Sequence, residues 1–379
     1  MFVIVIYLFR MNRKYGNKAD KVGHGEIFEI IRREILSGKF DETRKLPSES
    51  SLAMRFNVSR PTISRVTLDL KREGLIVTHR GAPTTLSRFA LNATGRLGIV
   101  VPGECYAEIF KPICNRLVRL AAQSGWDIVQ SEIKSSDPLI RAREARKIAY
   151  AFAKQHVSGI FFQPIEFLAN NAQKNIEVID FFESANIPVV LLDYDIVASP
   201  DRSRYDLVGI DNFTSGIAIG RHLISCGAKR IAFLLKPNAA PTVTDRMRGV
   251  TIAVIEGGGI WTPAQNILKS NPTDKRKISR FIRTHQPDAF VAGNDIAAKQ
   301  LIETFRAIGP SAQKIRVVGF DDVAVAAECG FTSVRQPLDD IAETALQTLL
   351  SRIKNPRMPP RTILLPTKLV VRSCVSPNQ

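Results

Sequence analysis

The spacing of apolar residues near the start of the chain predicts a small helical domain that ends in a hairpin. From His24 to Gly38, isoleucines recur every three or four residues, which is the period of an amphipathic helix. Ser48 and Ser59 each precede another helical run and have a side chain that favours a helix N-cap. Two short apolar runs separated by a turn follow. Residues 24–87 are therefore predicted to form a winged helix-turn-helix domain.

After residue 95 the pattern changes to buried strands that alternate with helices. Apolar runs bounded by turns recur along this region: LGIVVP, SGIFFQP, PVVLLDY, RIAFLL, DAFVAGND and RVVGFDD. Strands that alternate with helices form parallel sheets with both faces covered. The predicted fold class is therefore α/β: a two-lobed sensor domain of doubly wound parallel sheets, preceded by the small winged helix-turn-helix domain.

These changes of pattern set the predicted domain boundaries. They give an N-terminal extension at 1–23, the winged helix domain at 24–87, a linker at 88–95 and the effector-binding domain at 96–374. Within the effector-binding domain, we expect a first lobe at about 96–228 plus 335–355 and a second lobe at about 229–332 plus 356–374.

The helix that begins after Ser59 carries the residues best placed to contact DNA. In a helix-turn-helix, the second helix enters the major groove with its N-terminal residues toward the bases. Arg60 suits a bidentate contact with guanine or a contact with a phosphate. Alternatively, Ser59 only caps the helix and the arginines form a solvated face. The residues expected at DNA are Ser48, Ser59, Arg60, Thr62, Ser64 and Arg65, with His79 and Arg80 at the wing tip.

Polar residues follow several of the predicted parallel strands. They are Asp193, Asp211, Asn294, Asp295, Asp321 and Asp322. Ligands of such sheets bind beyond the carboxyl ends of the strands. Carboxylates and amides that accept from hydroxyl groups, together with an arginine that donates, suit a polyhydroxylated ligand. The alternative for each aspartate is that it caps the next helix.

Charge and cysteine usage narrow the class of protein. The formal net charge of +17 fits a polyanionic partner such as DNA, although a basic surface also serves solubility. The apolar segment Met1–Phe9 is too short to span a bilayer, and positive charges follow it rather than precede it. We therefore expect an extension, or a start at Met11, rather than an export signal.

The cysteines and the search for catalytic motifs point to no metal, cofactor or reaction. The five cysteines include no C-x-x-C pair, and no histidine lies at ligand spacing, so neither a disulfide framework nor a zinc site is expected. Motifs of serine hydrolases, phosphate-binding loops and zinc proteases are absent from the sequence. The chain is therefore expected to be a cytoplasmic protein without catalytic residues or a cofactor.

Residues 24–87 resemble the GntR family of winged-helix DNA-binding domains. The motifs that carry the resemblance are LPSE, VSR-x-T and EGLI, in this order. Two positions depart from the family pattern: Ser50 stands where the family commonly has an arginine that contacts DNA, and Gly81–Thr84 replaces the usual G-x-G-T of the wing.

Residues 96–374 resemble the effector domain of the lactose- and galactose-repressor family. Matching segments include VSGIFFQP, IPVVLLD, DRMRG, PDAFVAGNDIAA and VVGFDD. The resemblance implies effector contacts at Arg246, Asn294 and Asp321, with Asp211 and Tyr106 as weaker candidates. The family's usual N-P-F after the first strand is missing.

Together these observations predict a DNA-binding repressor whose affinity for double-stranded operator DNA is controlled by a small molecule, expected to be a sugar. Since the sensor family pairs through its lobes, a homodimer and a roughly palindromic operator are expected. The alternative is a solute-binding protein for sugar transport, which accounts for the second region but not for LPSE and VSRPT. No membrane association is expected.

Overall fold

The computed structural model describes most of the chain and divides it into two compact units. The described residues are 23–36, 39–40, 43–78, 82–87, 95–101, 107–131, 133, 135, 137–155, 157–168, 170–197 and 201–372. The units are Met1–Ala93 and Thr94–Gln379, and the division falls inside the linker predicted at 88–95. Helices and parallel sheets give the α/β class that the sequence predicts.

The described part of the first unit contains three helices and a two-stranded antiparallel hairpin. They are α1 (His24–Leu36), α2 (Glu49–Phe56), α3 (Arg60–Arg72), β1 (Ile76–Val77) and β2 (Thr85–Leu86). Each helix buries one apolar face, and these faces meet in a core that includes Ile27, Ile31, Ile63 and Val66. Asn57, in the left-handed conformation with φ of 52°, ends α2 and turns the chain toward α3.

In the second unit, strands alternate with helices. The strands are β3 (Arg96–Val100), β4 (Asp127–Gln130), β5 (Gly159–Phe162), β6 (Val189–Leu192), β7 (Asp206–Ile210), β8 (Ile231–Leu235), β9 (Ile267–Lys269), β10 (Ala289–Ala292), β11 (Arg316–Val318), β12 (Ser333–Arg335), β13 (Thr362–Leu365) and β14 (Lys368–Val370). The helices are α4 (Ala107–Gln123), α5 (Pro138–Lys154), α6 (Asn171–Ser184), α7 (Asn212–Ser225), α8 (Pro241–Glu256), α9 (Pro263–Asn266), α10 (Lys275–His285), α11 (Asp295–Ile308), α12 (Pro310–Gln313), α13 (Ala324–Cys329) and α14 (Leu338–Lys354).

Two parallel sheets organise this unit into two lobes. The first sheet has the strand order β13-β7-β6-β5-β3-β4, and the second has the order β11-β10-β8-β9. β12 and β14 form a separate antiparallel pair. Strands such as β5, β6 and β10 are buried along their whole length, because helices cover both faces of each sheet. The two doubly wound lobes predicted from the sequence are therefore present.

The chain crosses between the lobes at positions that differ from those predicted. β13 pairs in parallel with β7, so residues 362–365 belong to the first sheet and not to the second lobe. The helix α7, predicted in the first lobe, packs against α8 of the second lobe. Sequence pattern identifies such elements but does not say which sheet edge or helix they join, and this is where the prediction was wrong.

Two glycines allow the close packing of α7 against α8. A Cβ at Gly216 would lie 2.1 Å from the carbonyl oxygen of Arg246, and a Cβ at Gly249 would lie 2.1 Å from that of Phe213. Neither distance is possible for a side chain, so the two backbones touch only because both residues are glycine. This contact fixes the position of Arg246 relative to α7.

Three further observations concern the described residues. Cys114 and Cys329 are free thiols, whereas Cys226 is disulfide-bonded, which the spacing of the cysteines did not predict because pairing depends on tertiary proximity. No helix in the described part of the chain is long and apolar enough to cross a membrane. Nor do the described histidines, cysteines and carboxylates form a group that could hold a metal ion.

Candidate DNA-binding surface and ligand cleft

The N-terminus of α3 is built by a capping serine. The Ser59 hydroxyl accepts a hydrogen bond from the backbone N–H of Thr62 at 3.4 Å, and it lies 2.9 Å from the Thr62 hydroxyl. Pro61 occupies the first turn, where a backbone N–H would have no helical partner. The buried face of α3 holds the helix against the core, so its opposite face is presented to solvent.

Two arginines project from that exposed face. Arg60 and Arg65 are both exposed, and neither forms an ion pair within the described part of the chain. Ser64 is exposed as well, but its hydroxyl donates to Glu49 at the start of α2, at 2.8 Å. This hydrogen bond links α2 to α3. The guanidinium groups of Arg60 and Arg65 therefore remain available as donors on this exposed face.

Six of the residues predicted at DNA are described in the structure: Ser48, Ser59, Arg60, Ser64 and Arg65 are exposed, and Thr62 is half-buried. Ser48 caps α2 by accepting from the N–H of Ser51 at 3.2 Å, as Ser59 does for α3. His79 and Arg80 lie outside the described residues. Met54 on α2 is 77% exposed as well.

In the second unit, a cleft lies between the two lobes at the carboxyl ends of the strands. It encloses about 650 Å³ of space open to solvent. The first lobe contributes Ile109, Phe110, Ile113, Glu166, Phe167, Leu192, Asp193, Gly209, Ile210 and Ile341, and the second contributes Ala240, Thr242, Val243, Arg246, Gly293, Asn294, Asp321 and Gln336. The cleft thus has an apolar wall from one helix and a set of polar groups from both lobes.

Arg246 is the cation of the cleft and is held by three contacts. Its Nε donates to Oδ1 of Asn212 at 2.8 Å, and its Nη1 donates to the carbonyl oxygen of Gly293 at 2.6 Å. The guanidinium carbon lies 3.5 Å from the centre of the Phe320 ring, a cation–π contact. Since Arg246 is only 6% exposed, these contacts fix both its position and its charge inside the cleft.

Asp321, Asn294 and Gln336 surround the second-lobe side of the cleft. Asp321 has a φ of 107°, a strained conformation for a residue with a side chain, and its Oδ1 accepts from Nε2 of Gln336 at 2.7 Å. Burial raises the pKa of Asp321 to about 6, although the charge of Arg246 opposes this shift. Asn294 caps α11 with Oδ1 at 2.8 Å from the N–H of Ala297, which leaves its amide nitrogen as a donor toward the cleft.

Two carboxyl groups face these residues from the first lobe. Asp193 follows β6 with a φ of 74°, and Glu166 lies four residues beyond β5. Burial raises the pKa of Glu166 to about 8, and the negative charge of Asp193 adds to the shift. Burial also raises the pKa of Asp193 to about 6. Sequence reasoning weighed Asp193 only as a strand-end residue and missed Glu166, since no strand-end or capping signal marks it.

Direct contacts join the lobes beside the cleft. Oε2 of Glu166 accepts from the N–H of Ala240 at 3.1 Å, and the N–H of Phe167 donates to the carbonyl oxygen of Asn238 at 3.0 Å. The Lys236 ammonium lies 4.8 Å from the centre of the Phe167 ring. Glu166 therefore both lines the cleft and bridges the two lobes.

The structure brings together three of the five residues predicted at the effector: Arg246, Asn294 and Asp321. Asp211 does not line the cleft. Its carboxylate caps α7 instead, accepting from the N–H of Thr214 at 2.9 Å and from its hydroxyl at 2.6 Å. Tyr106 lies outside the described residues.

The remaining strand-end aspartates have structural partners. Asp295 is buried and accepts from the Ser333 hydroxyl at 2.6 Å and from the N–H of Val323 at 2.9 Å, which pins the start of α11 to β12. Asp322 accepts from Nε of Arg335 at 2.6 Å and pairs with Arg372. Neither residue lines the cleft, and neither caps the helix that follows it, since the N-caps there are Asn294 and Val323.

Comparisons with known proteins agree with this architecture. The family of bacterial regulatory proteins named gntR matches residues 24–86, and the periplasmic binding protein-like domain matches residues 221–375. The arabinose metabolism transcriptional repressor of Geobacillus stearothermophilus is 26% identical over 336 residues, covering 84% of this chain and 88% of its own. The HTH-type transcriptional repressor PurR of Escherichia fergusonii is 24% identical over 343 residues, covering 86% of this chain and 96% of its own.

Solved structures show the same fold. The complex of the transcriptional regulator CelR with cellobiose has a TM-score of 0.61 at 21% identity, covering 86% of this chain and 99% of that one. A regulator of the LacI family from Enterococcus faecium with bound ribose has a TM-score of 0.57 at 19% identity, covering 74% and 99%. The chain therefore joins a region that matches the gntR regulatory proteins to one that matches the periplasmic binding protein-like domain, and this combination is that of a ligand-controlled transcriptional regulator rather than a transport protein.

Proposed function

We propose that this chain is a repressor that binds operator DNA through α3 and responds to a sugar bound in the cleft. The observation that carries the proposal is the composition of the cleft: Arg246, Asn294 and Asp321 from one lobe face Glu166 and Asp193 from the other. A ligand that contacts both sets bridges the lobes, so its binding free energy favours one arrangement of the two lobes over others.

The chemistry of the cleft supports a hydroxyl-rich ligand with an apolar face. Carboxylate oxygens of Asp193 and Asp321 accept hydrogen bonds from hydroxyl groups, whereas the amide nitrogen of Asn294 and the remaining N–H groups of Arg246 donate to ligand oxygens. The side chain of Phe110 supplies an apolar surface on the opposite wall, suited to the C–H face of a sugar ring.

At the operator, we propose that Arg60 and Arg65 contact bases or phosphates. Ser59 and Thr62, at the N-terminus of α3, would lie close to the phosphate backbone of the DNA. We propose that two copies of the chain act as a dimer on a roughly palindromic site and that the sugar releases the operator. Since the relatives are transcriptional regulators and not enzymes, we propose no catalytic role, and we place the protein in the cytoplasm.

The names of relatives favour a sugar over other ligands. One is an arabinose repressor, and two of the solved neighbours hold cellobiose and ribose.

Fluorescence anisotropy with labelled DNA from upstream of the gene and its neighbours tests the proposal. At fixed salt, the full chain is titrated with and without arabinose, ribose, xylose, glucose, galactose, cellobiose and, as a control that is not a sugar, hypoxanthine. We expect tight, sequence-selective binding that one sugar weakens about 5- to 150-fold, the usual range of allosteric coupling. Binding no tighter than to random DNA, or no response to any sugar, would contradict it.

Three variants separate the two halves of the function. Arg60→Ala is expected to weaken operator binding while leaving sugar binding, measured by calorimetry, unchanged. Asp321→Asn keeps the size of the side chain and is expected to remove the sugar response while leaving operator affinity unchanged. Arg246→Ala is expected to give the same insensitivity to sugar, provided that its melting curve shows a folded sensor.

A further inference from the structure

The ionisable groups that line the cleft carry an excess of negative charge. Among the described residues that line it, Glu166, Asp193 and Asp321 are acidic and Arg246 is the one cation. Because burial raises the pKa of Glu166 to about 8, this carboxyl is mostly protonated at neutral pH, whereas Asp193 and Asp321, with pKa values of about 6, carry two negative charges against one guanidinium. We call Glu166, Asp193 and Asp321 the carboxyl cluster. An incoming ligand meets this cluster in a confined space, where charge interactions are stronger than in water.

The one cation is already engaged by the protein. Two N–H groups of Arg246 donate to Asn212 and Gly293, and the Phe320 ring covers a face of the guanidinium. Arg246 also lowers the pKa values of Asp193 and Asp321, so both aspartates lie within the range of its charge. Their negative charges therefore offset the attraction that Arg246 exerts on a phosphate or a carboxylate of a ligand.

The Asp193 carboxylate, which the first lobe contributes, needs donors rather than acceptors. No hydrogen bond to it forms within the described part of the chain. Glu166 accepts the N–H of Ala240 with Oε2, and because its carboxyl group is mostly protonated at neutral pH it also has an O–H to donate. Unsatisfied acceptors at the floor of a cleft favour ligand groups that donate hydrogen bonds, such as hydroxyl or ammonium groups.

We propose that the carboxyl cluster is a charge filter, which admits uncharged or amine-bearing sugars and rejects sugar phosphates and uronic acids. This inference rests on the proposed sugar-binding function of the cleft. Asp193 is the specificity-determining residue, with Glu166 beside it, because an anionic substituent at this place would approach a buried negative charge. A neutral sugar or an amino sugar instead supplies the donors that the Asp193 carboxylate needs.

Isothermal titration calorimetry of the full chain with matched ligand sets tests the filter. Each set has one parent sugar: glucose, glucosamine, glucose 6-phosphate and glucuronic acid; galactose, galactosamine, galactose 6-phosphate and galacturonic acid; ribose and ribose 5-phosphate; arabinose and arabinose 5-phosphate. In the set that binds, the neutral or amino member is expected to bind on the order of 100-fold more tightly than the anionic ones, since like charges at close range are strongly unfavourable.

Variants identify the groups responsible. Asp193→Asn keeps the side-chain shape and removes one negative charge, so it is expected to reduce the discrimination at least tenfold. Glu166→Gln keeps an oxygen to accept the Ala240 N–H and replaces a carboxyl that is mostly protonated at neutral pH, so it is expected to change the discrimination less. Asp180→Asn, an exposed change on α6 with the same loss of one charge, is the matched control and should leave the discrimination intact. Melting curves establish that each variant is folded, and the comparison among wild-type ligands does not depend on them.

The outcomes separate the filter from the proposed function. If a sugar phosphate or a uronic acid binds the wild-type chain more tightly than its neutral parent and alters operator affinity, the filter is overturned and the repressor function stands. If the neutral or amino sugar binds selectively but leaves operator affinity unchanged, the filter stands and the proposed function fails. Equal binding of neutral and anionic members overturns the filter.

Discussion

Replacing Gly249 with alanine is expected to separate α7 from α8 and to weaken both the stability and the ligand response of the sensor. The new Cβ would lie 2.1 Å from the carbonyl oxygen of Phe213 and 2.8 Å from the backbone nitrogen of Ile217. A carbon–oxygen contact needs about 3.3 Å, so the helices must move apart by about 1 Å. Because the clashing atoms are backbone, the cost is expected at the upper end of overpacking, about 3 kcal/mol.

Thermal unfolding of the full chain by calorimetry measures this cost. For a unit of this size, about 3 kcal/mol corresponds to a loss of about 6 to 12 °C in the sensor transition. The transition of the winged helix unit serves as an internal reference. Gly257→Ala is the matched control at the end of the same helix: its Cβ would meet the flexible tip of Ile224 at 3.0 Å, and a small change is expected.

The same displacement moves Arg246, which lies on α8 one turn before Gly249. Anisotropy is therefore expected to show a weaker effect of the sugar on operator binding by Gly249→Ala, with unchanged affinity in the absence of sugar. A melting temperature within about 1 °C of the wild-type value would refute the reasoning, since the helices would then not cross in backbone contact.

Three further substitutions have defined outcomes. Asp206 is 1% exposed and accepts two hydrogen bonds from Arg352, so Asp206→Asn is expected to cost about 3–5 kcal/mol in urea unfolding; an unchanged midpoint would contradict this. Ser59→Ala removes the cap of α3 and should cost the winged helix about 1 kcal/mol, whereas Ser59→Asp should not. Arg55 lowers the pKa of Glu34. Their ion pair therefore stabilises the fold at pH values above the usual carboxyl pKa, and this stabilisation is lost as the pH falls through the lowered pKa. In Glu34→Gln, the free energy of unfolding should depend less on pH in this range.

The sequence determined the elements of the fold and several residues of both sites. Ser59 caps α3 as its position before a helical run predicts, and Arg60 projects from the exposed face that the apolar pattern leaves free. Arg246, Asn294 and Asp321, implied by the family resemblance, line one cleft although they are far apart in the chain. Local periodicity and strand-end position depend only on residues that are neighbours in the chain, so they can be recognised from the sequence alone.

Only the tertiary structure decided how the lobes share the chain and which carboxyl groups face the ligand. The apolar pattern of β13 is compatible with either sheet, and in the structure β13 pairs in parallel with β7 of the first sheet. Asp211 and Asp193 both follow buried strands, yet the first caps a helix and the second lines the cleft. Glu166 has no local signal, because its burial, its bond to Ala240 and its raised pKa all arise from a lobe that is distant in sequence. Charge excess in a cleft is a sum over residues that folding brings together, and no single segment encodes it.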